Sequence, residues 1–406
     1  MSGEWRSCRL GDVIELKRGY DLPKSERKPG NVPIVSSSGF SDTHGEAKAK
    51  GPGVVTGRYG TIGTVYFVEG DFWPLNTTLY VRDFKGNDPR FVSYFLRGVD
   101  FHAYSDKAAV PGVNRNHLHE ATVTLPPLPE QRAIAATLGA LDDKIELNRK
   151  MNATLEAMAR ALFRDWFVDF GPTRAKMAGT TPYLSPDLWS LFPDSLDDQG
   201  KPEGWETFSL GQIAEHHTKT LTPAKMAESE VEHFSLPAYD KGQIPAIDHG
   251  ASIKSNKTLV PAEAVLLSKL NPEIPRVWMP ETHSRLQQVS STEFLAYTAK
   301  VGAGRSLLFC LFSDQGFREM LHGMVTGTSK SHQRISPPSL LAREVIIGAQ
   351  EMFGVFEQLV APFLNRVREN RAESRTLART RDLLLPRLMS GELRVAEAER
   401  AAEAVL

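Results

Sequence analysis

Few residues in this chain are spaced for covalent chemistry. Glu46-Ala47-Lys48 has the Glu-x-Lys spacing of metal-dependent nucleases, but a tripeptide this short recurs by chance and reads more simply as a solvated loop. His117-Leu118-His119 and His216-His217 offer imidazoles, yet no Cys, Asp or Glu stands at a spacing that would complete a metal set with them. Asn271-Pro272-Glu273 is a partial echo of the Asn-Pro-Pro-aromatic box of amino-methyltransferases. There is no GxxxxGK[ST] phosphate loop and no helicase-like acidic box. An autonomous nuclease or methyltransferase would need such a box, so the chain is expected to carry no catalytic residue, no metal and no cofactor of its own.

What remains is a set of loops rich in hydrogen-bond donors. In the first part of the chain these are Ser36-Ser37-Ser38-Gly39, Gly57-Arg58-Tyr59-Gly60-Thr61, Asn76-Thr77-Thr78 and Val113-Asn114-Arg115-Asn116. Later come Lys269-Leu270-Asn271 and Thr328-Ser329-Lys330-Ser331-His332-Gln333-Arg334. Arginine with Asn, Gln, Ser and Thr is the vocabulary of contact with base edges and phosphates. Each loop alone reads as ordinary surface; the functional reading comes from recurrence, with Asn114 to Asn116 and Ser331 to Gln333 taken as corresponding points. The candidate DNA contacts are Ser37, Arg58, Tyr59, Thr61, Asn76, Thr77, Asn114, Arg115, Lys269, Asn271, Lys330, His332, Gln333 and Arg334.

Two long helices are predicted to position these loops. Between Leu125 and Phe170 the apolar residues Ile134, Leu138, Leu141, Ile145, Leu155, Ala159, Leu162 and Trp166 recur in steps of three and four, a heptad seam. A helix of this length reaches roughly 50 to 60 Å. One narrow seam cannot stabilise it alone, so it needs a partner. The partner lies 222 residues later (367 minus 145), where Val367, Asn370, Arg371, Thr376, Leu377 and Leu384 answer Ile145, Asn148, Arg149, Thr154, Leu155 and Leu162. Its own seam is Phe356, Val360, Phe363, Val367, Asn370, Ser374, Leu377, Arg381, Leu384 and Leu388. Antiparallel pairing about the common centre sets Asn148 against Ser374, Asn152 against Asn370, and small Ala159 against large Phe363; a parallel pairing matches volumes less well. Leu141 against Arg381 is the weak antiparallel layer, tolerable if the arginine snorkels. The polar centre either fixes register or marks a frayed, exposed seam.

A second internal match, at 200 residues, relates Trp5, Leu10, Gly11, Val13 and Glu15 to Trp205, Leu210, Gly211, Ile213 and Glu215. The chain therefore reads as globule, helix, globule, helix. Strand-like runs between glycine turns, such as Gly53 to Val68 and Asp71 to Val81, and an amphipathic helix at Pro89 to Phe101 make the first globule α+β. The second has a strand at Ala264 to Leu270 and a helix near Ser313 to Met324. The expected boundaries are residues 1–124 for the first globule, 125–170 for its helix, 171–203 for a Pro, Asp, Ser and Gly-rich connector, 204–348 for the second globule, 349–395 for its helix and 396–406 for a tail.

The 406 residues, 41% hydrophobic and 24% charged, fit two or three compact domains. No run of about 18 apolar residues and no signal-like N-terminus occurs, so a cytoplasmic protein is expected. Two cysteines, Cys8 and Cys310, fit a reducing compartment. A formal net charge of -1 means that any nucleic-acid role must rest on local patches or on partner subunits.

The LPPLPEQRAIA lead-in with the long helix after it, the RDLLLPRLMSGEL ending and the repeated plan resemble the specificity subunit of type I restriction-modification systems, over almost the whole chain. GRYGTIG and FWPLNTTLYV are similar to one family of its target-recognition domains, and PEGW at Pro202 to Trp205 to the usual opening of the second. The second half departs from the pattern, with IGAQEMF in place of LPPLPEQ. The resemblance implies two target-recognition domains, each reading half of a split site in double-stranded DNA, held by two long helices in an antiparallel coiled coil. It implies two methyltransferase subunits as partners and restriction/translocase subunits in the full complex. S-adenosylmethionine, ATP and Mg are then expected only on those partners. Differing loops imply an asymmetric, interrupted site whose halves are centred roughly one helical turn, about 34 Å, apart. A coiled-coil scaffold that does not read DNA, or the specificity part of a methyltransferase-only complex, are the alternatives.

Overall fold

The computed structural model describes residues 4–105, 112–282, 284–300, 302–325 and 334–406, so Lys330, His332 and Gln333 lie outside the described residues. The chain divides into two compact units, Met1–Arg149 with Arg371–Leu406, and Lys150–Asn370.

In the first unit the strands are β1 (Arg6–Arg9), β2 (Glu15–Arg18), β3 (Val32–Ser36), β4 (Gly39–His44), β5 (Gly53–Gly57), β6 (Val65–Val68), β7 (Trp73–Pro74), β8 (Thr78–Asp83) and β9 (Thr122–Leu125). They form an antiparallel sheet in the order β2-β8-β5-β6, a smaller sheet β4-β3-β7 in which β3 and β7 are parallel, and a ribbon of β1 with β9. Every residue of β5 is buried, which suits its β-branched Val54, Val55 and Thr56. The helix foreseen at Pro89 to Phe101 runs Pro89–Arg97. Asp88 caps it by accepting from Phe91 N at 2.8 Å, and Phe101–Tyr104 continues as a separate 3-10 turn. Its buried face, Phe91, Val92, Phe95 and Leu96, joins one core with Leu10, Val13, Leu79, Ile134, Leu138 and Leu141. Residues 396–406, expected as a tail, belong to this core instead. The helix Val395–Glu403 buries Ala398 and Ala402 there, because small residues four apart lie on one face.

The second unit carries β10 (Glu206–Ser209), β11 (Ala214–His217), β12 (Thr220–Leu221), β13 (Glu230–Phe234), β14 (Ala246–His249), β15 (Lys257–Leu259), β16 (Val265–Ser268), β17 (Val277–Trp278), β18 (Gln287–Ser290), β19 (Phe294–Ala299) and β20 (Glu344–Gly348). Its sheets repeat the plan: β11-β19-β16-β17 answers β2-β8-β5-β6, and β10 with β20 answers β1 with β9. Register repeats as well. Lys17 faces Tyr80 and Val55 faces Tyr80, while His217 and Leu266 both face Ala296. Matching residues are 200 apart at Leu10 and Leu210, 216 apart at Tyr80 and Ala296, and 222 apart at Thr122 and Glu344, by subtraction. The extra 16 residues before β19 accompany a larger second sheet, β12-β15-β18-β13-β14. The helix foreseen near Ser313 to Met324 runs Gln315–Gly323, and a second helix, Arg305–Ser313, precedes it. Asp314 divides them by turning its carboxylate to Gly316 N and Phe317 N at 2.7 and 3.2 Å, the behaviour of an N-cap.

Two helices of 40 residues, Leu128–Phe167 and Gln350–Met389, run through both units. In the first unit the beginning of one meets the end of the other: Asn148 Nδ2 donates to Ser374 Oγ at 3.3 Å and to Glu373 at 2.8 Å. In the second unit Asn370 Nδ2 donates to Asn152 Oδ1 at 2.8 Å. Pairing is therefore antiparallel with a polar centre, and Asn148 and Asn370 are buried rather than frayed. The weak layer is repaired from the side, since Arg381 reaches Asp142 at 2.5 Å. Toward the other end the seam drifts by one residue: Leu364 and Phe163 are buried where Phe363 and Leu162 were expected. A helix of 3.6 residues per turn departs from a strict 3.5 repeat by about 20° per heptad, enough to rotate the neighbour in.

Replacing Asn148 and Asn370 together by leucine should keep the helices paired but admit more than one register. Disulfide trapping between cysteines placed at Ile145 and Leu377 or one turn away reads this directly. A single unchanged trapped pair would show that the asparagines do not set register.

Candidate nucleic-acid interface

The predicted loops of the first unit meet where β5 ends and β8 begins. Thr77 is the hub: its carbonyl accepts from Arg58 N at 2.9 Å and Tyr59 N at 3.3 Å, and its Oγ1 from Ser37 N at 3.4 Å. Arg58 O accepts from Val113 N at 3.0 Å, and Tyr59 bridges to Gly112, so the fourth loop docks on the second. The Arg58 guanidinium lies 4.6 Å from the centre of the Tyr59 ring. Gly57 makes the tight return possible, because a Cβ there would fall 1.8 Å from Thr61 O. Gly60 completes it with φ +76, a left-handed value that glycine adopts freely.

Ser37, Arg58, Tyr59, Thr61 and Thr77 are thus brought together on one sheet edge. Asn76 stands beside them with its amide on the Asp21 carboxylate. Asn114 serves the backbone, accepting from Asn116 N at 3.0 Å to cap the short helix Arg115–His119, whose first residue Arg115 is exposed. His119 Nε2 accepts from Leu16 N at 3.0 Å, and burial, followed by nearby Arg115, pulls its pKa below the usual imidazole value. This histidine is therefore a structural acceptor. Glu46 pairs with Lys28 at 2.7 Å, which accounts for the first half of the Glu-x-Lys tripeptide.

In the second unit the edge where β16 ends is built alike. Lys269 N donates to Glu293 O at 2.9 Å, Lys269 O accepts from Ile335 N at 3.2 Å, and Leu270 bridges to Arg334 just as Tyr59 bridges to Gly112. Asn271 turns the chain with φ +49. The Arg334 guanidinium forks onto Glu293 at 3.0 and 3.1 Å, so its charge is shared with a carboxylate, unlike that of Arg58. Ser336, the N-cap residue of the helix Pro337–Leu341, lies 222 residues after Asn114 and is its counterpart. The correspondence expected with Ser331 to Gln333 is thereby shifted to Ser336. His217 Nε2 lies 2.7 Å from Thr298 Oγ1, and His216 is tilted on the Tyr297 ring at 5.1 Å. Burial, then His217 and Lys269, lowers the His216 pKa. Among the described residues no three of His, Cys, Asp and Glu gather as a metal set.

Lys17, Tyr20, Lys48 and Trp73, none of them among the candidate DNA contacts from sequence, flank the Thr77 hub. Tyr20 N donates to Pro74 O at 2.8 Å and Gly19 N to Thr78 O at 3.1 Å, fixing this segment against the Asn76-Thr77 turn. Lys17-Arg18-Gly19-Tyr20 has the same basic, glycine and aromatic character as Gly57-Arg58-Tyr59-Gly60, and that likeness was the available signal.

Comparison with known proteins finds the following similarities. Residues 2–157 match the family model described as the type I restriction modification DNA specificity domain. The chain is similar to the type I restriction enzyme MjaIX specificity subunit of Methanocaldococcus jannaschii, 25% identical over 72% of this chain and 65% of that protein, less than two thirds of its length. It is also similar to the type I restriction enzyme HindI specificity subunit of Haemophilus influenzae, 26% identical over 96% of this chain and 100% of the relative. The fold resembles the crystal structure of a type I restriction-modification system S subunit from M. genitalium, with TM-score 0.56, 15% identity, and 95% and 96% of the two chains covered. No helix among the described residues is long and apolar enough to cross a membrane.

Proposed function

We propose that this chain is a specificity subunit of a type I restriction-modification system and reads double-stranded DNA with its two globules, one half of an interrupted site each. The observation that carries this reading is the duplicated sheet edge with unlike side chains. Arg58, Tyr59 and Thr77 stand on one copy, Lys269, Asn271 and Arg334 on the other, each set by the same bridge from the residues just after an inner strand to a later loop. Equal scaffolds with different donors read different base edges, so the site is asymmetric. Loops held by backbone hydrogen bonds present these donors at little ordering cost.

The paired helices act as the ruler between half-sites and as the seat for two methyltransferase subunits, with restriction/translocase subunits joining the full complex. The chain itself is non-catalytic in this reading, and S-adenosylmethionine, ATP and Mg serve the partners. Its side chains bind and orient the duplex, and the partner does the chemistry on the base so presented.

Mapping methylated adenines in DNA from cells that express this chain with its cognate methyltransferase tests the proposal. The expected result is one motif of two unlike halves separated by unspecified bases, present only when this chain is expressed. Methylation with no dependence on this chain would leave the scaffold reading in its place. A motif without a gap would remove the two-reader arrangement.

A further inference from the structure

Several cations of the first unit are matched by carboxylates. Arg27 pairs with Asp42, Lys28 with Glu46, Lys50 with Asp71, Arg82 with Glu15 and Arg90 with Asp143. Lys17, Lys48 and Arg58 pair with no carboxylate among the described residues, and each is held against an aromatic ring instead. The Lys17 ammonium lies 5.2 Å from the Tyr20 ring centre and donates to Tyr20 Oη at 3.1 Å. The Lys48 ammonium lies 5.1 Å from the Trp73 ring centre. The two rings meet edge to face at 6.4 Å, and Tyr20 Oη is bonded in turn to Tyr80 Oη at 3.0 Å. Both lysines therefore flank one aromatic pair, next to the turn that carries Asn76 and Thr77.

A ring restrains an ammonium without neutralising it, since the attraction is to the quadrupole of the ring face. An ammonium has three donors; Lys17 spends one on Tyr20, and Lys48 none on any group described. Two cations restrained beside one aromatic pair, neither in an ion pair among the described residues, suit a polyanion. We propose that Lys17 and Lys48, set by Tyr20 and Trp73, form a binding site for the phosphodiester backbone of duplex DNA, distinct from the base-reading loop at Arg58. The site supplies position and affinity without sequence preference, because phosphates are the same at every base.

This inference rests on the DNA-reading function proposed above, and its test separates the two. The chain in complex with its methyltransferase subunits is titrated with a duplex carrying the mapped motif and with a random duplex, over a series of KCl concentrations. Each of Lys17→Ala and Lys48→Ala should lower the slope of log K against log salt by about 0.9, and the double variant by about 1.8, equally on both duplexes. The ratio of target to random affinity and the methylated motif should stay as they were. Lys17→Arg and Lys48→Arg should restore the slope. Inorganic phosphate at matched ionic strength should not compete, since the site takes its anion as part of a polymer. An unchanged slope in the double variant overturns the site while leaving the reading of DNA intact, and so does effective competition by free phosphate. A changed motif would move these lysines among the base readers. If the unsubstituted complex itself shows no preference for the target duplex, the underlying function fails first.

Discussion

Glu357→Leu should loosen the second globule from its long helix, at a cost of about 3 kcal/mol within that unit. The Glu357 carboxylate receives Ser306 N at 2.8 Å, Ser306 Oγ at 2.9 Å and Leu307 N at 3.4 Å, all at the start of the helix Arg305–Ser313. Ser306 is buried, so leucine would strand its donors away from water, each a loss of about 1 to 3 kcal/mol. The carboxylate also faces the positive end of that helix, which adds to the loss. Gly304 keeps the approach open, as a Cβ there would fall 1.9 Å from Glu357 Oε2. Hydrogen exchange of the Arg305–Ser313 amides measures the effect. Faster exchange in Glu357→Leu, largely recovered in Glu357→Gln, is the expected pattern, because an amide oxygen still accepts from Ser306 N. Exchange unchanged in Glu357→Leu would mean that apolar packing alone seats this helix.

The first unit makes the equivalent latch with another residue. Gln131, 1% exposed, accepts from Asp88 N at 3.1 Å and donates to Asn87 Oδ1 at 2.9 Å. Its counterpart 222 residues on is Phe353, packed among Phe167, Phe208 and Phe356 in the aromatic core. The polar latch has moved four residues along, about one helical turn, to Glu357. This is the physical content of the unlike lead-ins LPPLPEQ and IGAQEMF. Gln131 at least sits in a recognisable motif, although its partners show only in the fold; Glu357 has no such marker, because a lone glutamate on an amphipathic helix looks like any solvated residue.

Other parts of the molecule divide along the same line. The helix pair and its antiparallel sense were legible because periodicity and the asparagine layers are properties of the chain itself. So was the repeat, since Leu10 with Leu210 and Asn148 with Asn370 each preserve a buried position. Arg58, Tyr59 and Thr77 were legible as a set, as glycine-bounded polar loops advertise themselves. Lys17 and Lys48 were not, for their significance lies in lacking a carboxylate, and that depends on where Glu15, Glu46 and Asp71 turn in the folded unit. The capping role of Asn114 was likewise hidden, because the same side chain suits a base edge or a helix start.

Exchange of residues 1–124 for the corresponding piece of another such protein should change one half of the methylated motif and leave the other half and the spacer as they were. The long helix begins at Leu128, so the exchanged piece ends in β9 just before it. The structure adds a condition. The helix Pro89–Arg97 is bound to the long helix through Arg90 with Asp143 at 2.5 Å, Tyr94 Oη with Asp142 at 2.6 Å, and Gln131 with Asp88 and Asn87. Asp142 is shared, since it also holds Arg381 of the opposite helix. A donor piece that keeps Asn87, Asp88, Arg90 and Tyr94 therefore preserves both its seat and the repaired layer of the helix pair. A donor lacking Tyr94 leaves Asp142 with one partner fewer and should lower stability by about 1 to 2 kcal/mol without altering the motif. The second globule is expected to be untouched in either case, because sites that share no contacts act nearly independently. Methylation mapping of the chimaera reads the outcome at single-base resolution. Should both halves change together, or the gap between them lengthen, the helices would not be a passive ruler, and recognition would have to be assigned to the assembled complex rather than to each sheet edge.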